Sequence, residues 1–444
     1  MKRIKNLYNS FDLDFIKYQT ILVCLLPLLL ITGPAIPDII VTILSISYLI
    51  YIIRNKDIFS LCADAKIFQY LIIFYFFIVF SSLFSSDILS SLKFSLPYVR
   101  FILFSFLISF LIKNNSNKFY SLFFISCSLA ISLLFFDTIF QFFYGKNILG
   151  FETIDSQNRI SSFFQKMILG SYVLKILPMF LVSIFFLVKK KNYSYRFIIL
   201  FYFISAIIIF LSGDRAPLLL LMIFSLGILI ALKNYRKIFF IFFVCLFFLF
   251  LLLTMTQKRY YDRYIVRTLN EIGLGTDKEY SKKVANYSIL DFYNKKTFVF
   301  SSIHENYFIT AINIFKDNIF IGAGPKSYGW LSCLPKHQLD RLSCTTHPHN
   351  FYIQLLAETG IVGFGFVAFA FLYLITYLFK LVSSVTIKHE FSKEGLIVAL
   401  LGMIFHLWPI TTTGSFFTNY NCILIFFCFG FFLGEKKLYL FKNI

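Results

Sequence analysis

The sequence predicts an all-α integral membrane protein of about twelve transmembrane helices, with one large loop between helices 9 and 10. Of its 444 residues, 58% are hydrophobic and 14% are charged, whereas soluble proteins carry about 25% charged residues. Phenylalanine alone fills 62 positions, which is more apolar surface than a soluble core could bury. Lipid is therefore the expected solvent for most of the chain.

A spanning helix needs about 20 mostly apolar residues, and a helix satisfies every backbone polar group inside lipid. The apolar runs divide the chain into helices 1–9 (1–256), a large loop (257–348) and helices 10–12 (349–444). The expected spans lie near residues 18–33, 38–53, 67–85, 97–112, 119–142, 168–188, 196–211, 216–232, 238–256, 357–379, 395–412 and 417–434.

The basic residues between these spans predict the orientation of the chain. If the N-terminus is cytoplasmic, the segments on that side hold 22 Lys and Arg, and the short loops on the other side hold five. This asymmetry follows the positive-inside rule, and long loops cross the membrane largely regardless of charge. We therefore expect both termini in the cytoplasm and the large loop on the outer side of a bacterial inner membrane.

The net charge of +20 is spread over short clusters between apolar runs and forms no single patch. This distribution is typical of membrane topology, so membrane lipids are expected partners and nucleic acid is not. The eight cysteines contain no CxxC pair, which argues against a zinc or thioredoxin-like site. Cys333 and Cys344 flank a polar turn of the large loop, and their spacing leaves a disulfide and two free thiols equally open.

The densest polar cluster is the run from Thr345 to Asn350. Pro348 disfavours a helix at the residue before it, so helix 10 is expected to begin near His349 or Asn350. Asn350, Gln354 and Glu358 then lie on one helical face, because they are spaced by four residues. Gly360 and Gly363 would allow close approach of another helix.

This run resembles the signature of the O-antigen ligase family: His349-Asn350, nine residues, then Gly360-x-x-Gly363. The resemblance extends to the twelve-helix plan, to the large periplasmic loop before the histidine, to 322–325 (Gly-Ala-Gly-Pro) and to an Arg at the outer end of helix 7, here Arg215 after Asp214. O-antigen polymerases share the signature, which separates the two activities poorly.

The resemblance implies a glycosyltransferase whose donor is a glycan on undecaprenyl diphosphate and whose acceptor is a sugar hydroxyl of lipid A–core. His349 would be the base that takes the hydroxyl proton, and the pKa of histidine suits that role. Arg215 would hold the diphosphate, since a guanidinium fits phosphate oxygens. The resemblance implies an inverting reaction without metal, and no cofactor is expected.

Other cations are candidates for binding the substrate. Arg100 is expected inside helix 4. A charge within the membrane is costly, so Arg100 is a candidate for a functional residue. Arg159 lies in an outer loop, and Arg263 and Arg267 share a helical face where the large loop begins. With His347 and Asn350, these residues complete the predicted substrate-binding set. A zinc site at Cys344, His347 and His349 would need a fourth ligand, which the sequence does not offer nearby.

The large loop contains one amphipathic stretch, in which Phe308, Ala311, Ile312 and Phe315 share a face. This helix is expected to stop near Gly322 and Gly324, where Pro325 blocks continuation.

Two alternatives to a ligase follow from the same sequence. A polymerase would use the same base and cations, with a second lipid-linked glycan as acceptor. A transporter could also have twelve helices, but it should show charged or broken helices at paired positions of two halves. The polar residues gather instead at one outer junction, which favours an enzyme at the bilayer surface.

Overall fold

The computed structural model describes residues 2–55, 65–154, 159–191, 196–271, 300, 302–338, 341–384 and 390–441. Within these ranges the chain is helical, apart from turns and two isolated β-bridges between 146 and 159. The predicted all-α class is confirmed.

The helices of the described chain are numbered from the N-terminus. In chain order they are α1 (Lys2–Leu29), α2 (Ala35–Asn55), α3 (Ala65–Ser82), α4 (Ile88–Ser95), α5 (Val99–Tyr144), α6 (Leu169–Lys191), α7 (Arg196–Leu211), α8 (Arg215–Ala231), α9 (Arg236–Thr256), α10 (Lys258–Tyr261, Asp262–Val266 and Arg267–Glu271 in succession), α11 (Ser302–Asp317), α12 (Tyr328–Leu331), α13 (Phe351–Ser383), α14 (Glu390–His406) and α15 (Asn419–Phe441).

Seven helical stretches of the described chain are long and apolar enough to cross a membrane, judged by length and composition. Helices α7 and α8 are also apolar but have only 16 and 17 residues. These helices support a multi-pass membrane protein, and the number twelve stays a prediction. The seven stretches are Leu13–Thr32, Ala35–Asn55, Ala65–Ser82, Ile88–Tyr144, Leu169–Val188, Lys233–Thr256 and Phe351–Ser383.

One expected span differs from the helix observed, and two others are joined. The runs 97–112 and 119–142 correspond to two helices that meet at a kink at Asn115 (φ −148°, ψ 50°), and together they are called α5. The run 395–412 ends early, because α14 stops at His406. Pro409 disfavours helical geometry at the residue before it, and a non-helical segment continues to the start of α15.

Helix α5 lies at the centre and packs against α1, α2, α6 and α15, while α14 packs against α6 and α15. Aromatic rings contribute to these contacts. The ring of Phe123 of α5 lies edge-on to that of Phe427 and is 4.7 Å, between centroids, from that of Phe431, both on α15. This core forms one continuous cluster of buried side chains, which fixes the ends of the helices that carry the polar site.

The described part of the large loop folds into α10, α11 and α12; its residues 272–299 lie outside the described chain. Helix α11 ends at Asp317, before the expected glycines. The predicted apolar face is wrong in part, since Ile312 is 38% exposed. The buried face consists of Asn306, Thr310, Ala311 and Ile314, because α11 packs against α13. Cys333 and Cys344 form a disulfide in the same loop.

Gly322 and Gly360 bring the loop and α13 into backbone contact. Gly360 interrupts α13 with φ 63° and ψ −168°, and an added Cβ there would lie 2.4 Å from the carbonyl of Phe320. The expected neighbour of Gly360 was another helix, but the loop occupies that space. Gly363 does face a helix, because its Cβ would lie 3.2 Å from Cε1 of Phe77 on α3.

Candidate active site

His349 stands at the junction of the large loop and α13, as predicted. Its φ of 59° is unusual for a residue with a side chain, and such strain is frequent at functional sites. The next residue, Asn350, is the N-cap of α13, and its Oδ1 accepts hydrogen bonds from the N–H groups of Tyr352 (2.9 Å) and Ile353 (3.1 Å). The cap therefore fixes the position of His349 immediately before the helix.

The polar face predicted for α13 exists, and it holds the 409–416 segment. The amide of Asn350 donates to the carbonyls of Pro409 (2.7 Å) and Thr411 (3.1 Å). One turn later, Gln354 accepts from the N–H of Phe416 (2.8 Å) and donates to the Ser415 hydroxyl (2.9 Å). Each of the side-chain polar atoms of Asn350 already binds backbone groups. The substrate-binding role of Asn350 stays a prediction.

Glu358, on the same face, holds the other loop. It is fully buried, and it accepts hydrogen bonds from the N–H of Tyr328 (3.1 Å) and from the Gln354 amide (2.9 Å). The backbone N–H of Gly324 also donates to the carbonyl of Glu358, at 2.8 Å. Glu358 is thus placed to position the loop that carries Lys326 rather than to react.

The imidazole of His349 lies among three other rings. Ring centroids are 4.1 Å from His347, 5.4 Å from His304 and 5.5 Å from Tyr307, which stacks on it. Burial lowers the pKa of His349. Burial, with His349 and Lys326 nearby, lowers the pKa of His347 to about 3. Both rings are therefore neutral near pH 7, the form in which a histidine can accept a proton.

The zinc site considered from the sequence loses a ligand, because Cys344 is bonded to Cys333. Among the residues described, no group of three or more His, Cys, Asp or Glu could hold a metal ion.

Arginines surround Asp214, which precedes α8. The carboxylate of Asp214 pairs with the guanidinium of Arg159, and both side chains are largely buried. Arg263 donates from Nε to the carbonyl of Gly213 at 3.0 Å, and Arg215 donates from Nη1 to the Thr268 hydroxyl at 3.1 Å. Arg159, Arg215 and Arg263 with Asp214 are called the arginine cluster below.

The electrostatics of this cluster favour an anion. Burial, and then the neighbouring charges of Arg159, Arg215 and Arg267, lower the pKa of Arg263 to about 10. Burial raises the pKa of Asp214, although Arg159 and Arg263 oppose that shift. Positive charges are thus held close together with one carboxylate between them, so a phosphate would relieve their repulsion.

A cavity of about 1660 Å³ joins the two groups, because His349 and the arginine cluster both line it. Typical small-molecule pockets measure about 300–1,000 Å³, so this cavity could admit a ligand larger than one sugar ring. His347 also lines it. Arg100 and Arg267 are not among the described residues that line it. Arg100 instead pairs with Asp38, at 2.7 Å.

Residues 199–368 match the family model described as O-antigen ligase. The match covers less than half of the chain and supports a likeness to the O-antigen ligase/polymerase superfamily. The match runs from α7 into α13 and includes Arg215, Arg263, His349 and the two glycines of the signature. It supports an enzyme that acts on lipid-linked glycans in general. No curated protein matches the chain.

The structure adds residues near the site that the sequence did not single out. His304 of α11 contacts the His349 ring, and Lys326 lines the cavity with its Nζ 5.2 Å from the ring centre of Phe94. Lys326 has a φ of 67° and follows Pro325. Lys166, outside the matched region, also lines the cavity. His304 lies four residues before the amphipathic stretch, and the sequence does not show that α11 packs beside α13.

Proposed function

We propose that this chain transfers a glycan from undecaprenyl diphosphate to a sugar hydroxyl of lipid A–core, on the periplasmic side of the inner membrane. One observation carries the proposal: a base, His349, and a group of guanidinium cations line the same cavity. Glycan transfer from a diphosphate needs both, because a hydroxyl must lose its proton while a charged leaving group departs.

The acceptor hydroxyl attacks the anomeric carbon of the donor sugar, and its proton passes to the neutral imidazole of His349. The bond between that carbon and the diphosphate oxygen breaks, and the diphosphate keeps the electron pair. Arg215, Arg159 and Arg263 stabilise the charge that develops on the leaving group. Attack opposite the leaving group inverts the anomeric centre, as the family resemblance implies.

The membrane helices and the family match support the setting. A lipid-linked donor requires a site near lipid, and His349 stands at the start of the apolar helix α13. A cavity larger than one sugar ring suits two glycan substrates. The segments on the same side of the membrane as the N-terminus carry the excess of basic residues. This excess supports the proposed orientation, with the N-terminus in the cytoplasm.

The test is deletion of the gene in its host, followed by gel analysis of the lipopolysaccharide. Bare lipid A–core with accumulated lipid-linked polymer is expected. His349→Ala and Arg215→Ala should fail to restore the ladder. The matched controls are His337→Asn, on the same loop but not lining the cavity, and Arg236→Ala, at the start of α9. Both controls should restore the ladder at equal membrane abundance.

The outcome also separates the alternatives. Core that carries a single repeat unit would identify the chain as a polymerase with a second lipid-linked glycan as acceptor. An unchanged ladder would contradict both activities for this glycan and would reopen transport.

A further inference from the structure

A second polar region of the cavity is not used by the reaction proposed above. It centres on Lys175 of α6, which lines the cavity and donates from Nζ to Oδ1 of Asn421 at 2.8 Å. The ammonium also lies 5.9 Å from the ring centre of Phe351. Among the residues that the structure describes, no carboxylate forms an ion pair with Lys175. Lys175 is partly buried, and a cation that is partly withdrawn from water without an anion beside it is unfavourable and indicates a function.

Other residues that line the same cavity carry hydrogen-bonding groups without partners in the described chain. His406, at the end of α14, is 3% exposed, and its Nδ1 donates to the carbonyl of Gly402 at 2.9 Å. Its Nε2 is buried and has no hydrogen-bond partner within the described chain, and the same holds for the hydroxyls of Tyr420 and Thr413. All three residues line the cavity. Buried polar atoms are normally satisfied, so these atoms are available to a ligand.

The region adjoins both halves of the reaction site. On α6, Gly170 packs so closely on Asp214 that an added Cβ would lie 3.1 Å from Oδ2. Lys175 follows about one and a half turns later on the same helix. On the other side, the N–H of Thr413 donates to the carbonyl of His349 at 2.7 Å. A glycan bound for transfer could therefore extend from the reaction site to Lys175.

We propose that Lys175, Asn421, His406 and Tyr420 form a subsite for an anionic sugar of the glycan, with Lys175 binding a carboxylate or phosphate carried on the ring. The inference rests on the proposed function, because it assumes that a glycan occupies the cavity. The anion would neutralise the ammonium, while the imidazole and the phenol would bind ring hydroxyls. This combination of one charge and several neutral donors and acceptors is typical of specific small-molecule sites.

The test is saturation-transfer NMR on the full-length protein in lipid nanodiscs, with glucuronic acid, glucose 6-phosphate and glucose as separate probes. Glucuronic acid and glucose 6-phosphate should bind more tightly than glucose. Lys175→Met should weaken both by about tenfold or more, because a charge-assisted bond is lost. The Lys175→Met variant should fold, because methionine is an unbranched side chain of nearly the same length and removes a partly buried charge. Tyr420→Phe removes a hydroxyl without an internal partner and should weaken binding several-fold.

Controls separate this site from the rest of the cavity. His349→Ala should abolish transfer and leave glucuronic acid binding unchanged, so binding is informative even if the proposed function is wrong. Arg215→Ala should also bind glucuronic acid as the wild type does. Equal binding of glucose and of the two charged sugars would overturn the proposal. Binding of the charged sugars that Arg215→Ala weakens and Lys175→Met leaves unchanged would overturn it as well, because the anion would then bind at the arginine cluster.

Discussion

Replacing Asn350 distinguishes a positioning residue from a substrate-binding one. Its side chain is 4% exposed and makes four hydrogen bonds to backbone, two at the start of α13 and two to the carbonyls of Pro409 and Thr411. Loss of an N-cap costs about 1 kcal/mol. Loss of each remaining bond costs about 1 kcal/mol. Asn350→Ala should therefore lower the free energy of unfolding by about 3 kcal/mol, the sum of these terms.

Asn350→Ser separates the two contributions. A serine still caps the helix, but its hydroxyl cannot replace the amide that reaches the 409–416 segment. The loss should fall to about 2 kcal/mol. Thermal unfolding in detergent, followed by the fluorescence of Trp330 and Trp408, should rank the variants as wild type, then Ser, then Ala. Both variants should transfer glycan more slowly, because the N–H of Thr413, in the same segment, binds the carbonyl of His349.

The reasoning would be refuted by an Asn350→Ala variant that unfolds at the wild-type temperature and shows a raised KM with unchanged kcat. That result would mean that Asn350 contacts the substrate directly, as the sequence predicted.

Three further predictions concern the base, the arginine cluster and the glycine contact. Burial lowers the pKa of His349 and the neutral ring is the base, so the transfer rate should be flat above pH 6.5 and fall only as pH drops below that value. A transfer rate that already decreases as the pH is lowered towards 7 would contradict this. Asp214→Leu should destabilise the protein by about 3 kcal/mol, because it leaves Arg159 buried without its carboxylate, and Arg159→Leu added to it should restore part of that loss in thermal unfolding. Gly322→Ala should abolish folding, since its φ is +78° and the added Cβ would lie 2.3 Å from the N atom of Thr359. Gly365→Ala meets nothing within 4 Å and is the matched control. Equal membrane yield of the two alanine variants would argue against the loop contact.

The start of α13 could be predicted from sequence because its cause is local. Pro348 disfavours helix at the preceding residue, and Asn350 is a favourable cap, so the first helical residue follows from the sequence itself. The shared face of Asn350, Gln354 and Glu358 follows in the same way from helical spacing. The superfamily was recognised from the same short run, and the family match supports it.

The partners of these residues could not be predicted, because they depend on contacts between distant segments. Asp214 lies 55 positions from Arg159, and Arg100 lies 62 positions from Asp38. The buried face of α11 was misjudged because apolar spacing does not show that α13 lies against Asn306 and Thr310.

The interval between Asn350 and Gly360 is constrained in length more than in composition. Asn350 and Gln354 reach the 409–416 segment, Glu358 reaches the loop before α12, and Gly360 ends this part of the helix against Phe320. One inserted residue would rotate everything beyond it by about 100° and would turn Glu358 away from the N–H of Tyr328. Apolar exchanges at positions between these polar residues would leave the rotation intact. A chain that kept this interval could therefore change much of its apolar surface and still bring its histidine to the same cavity.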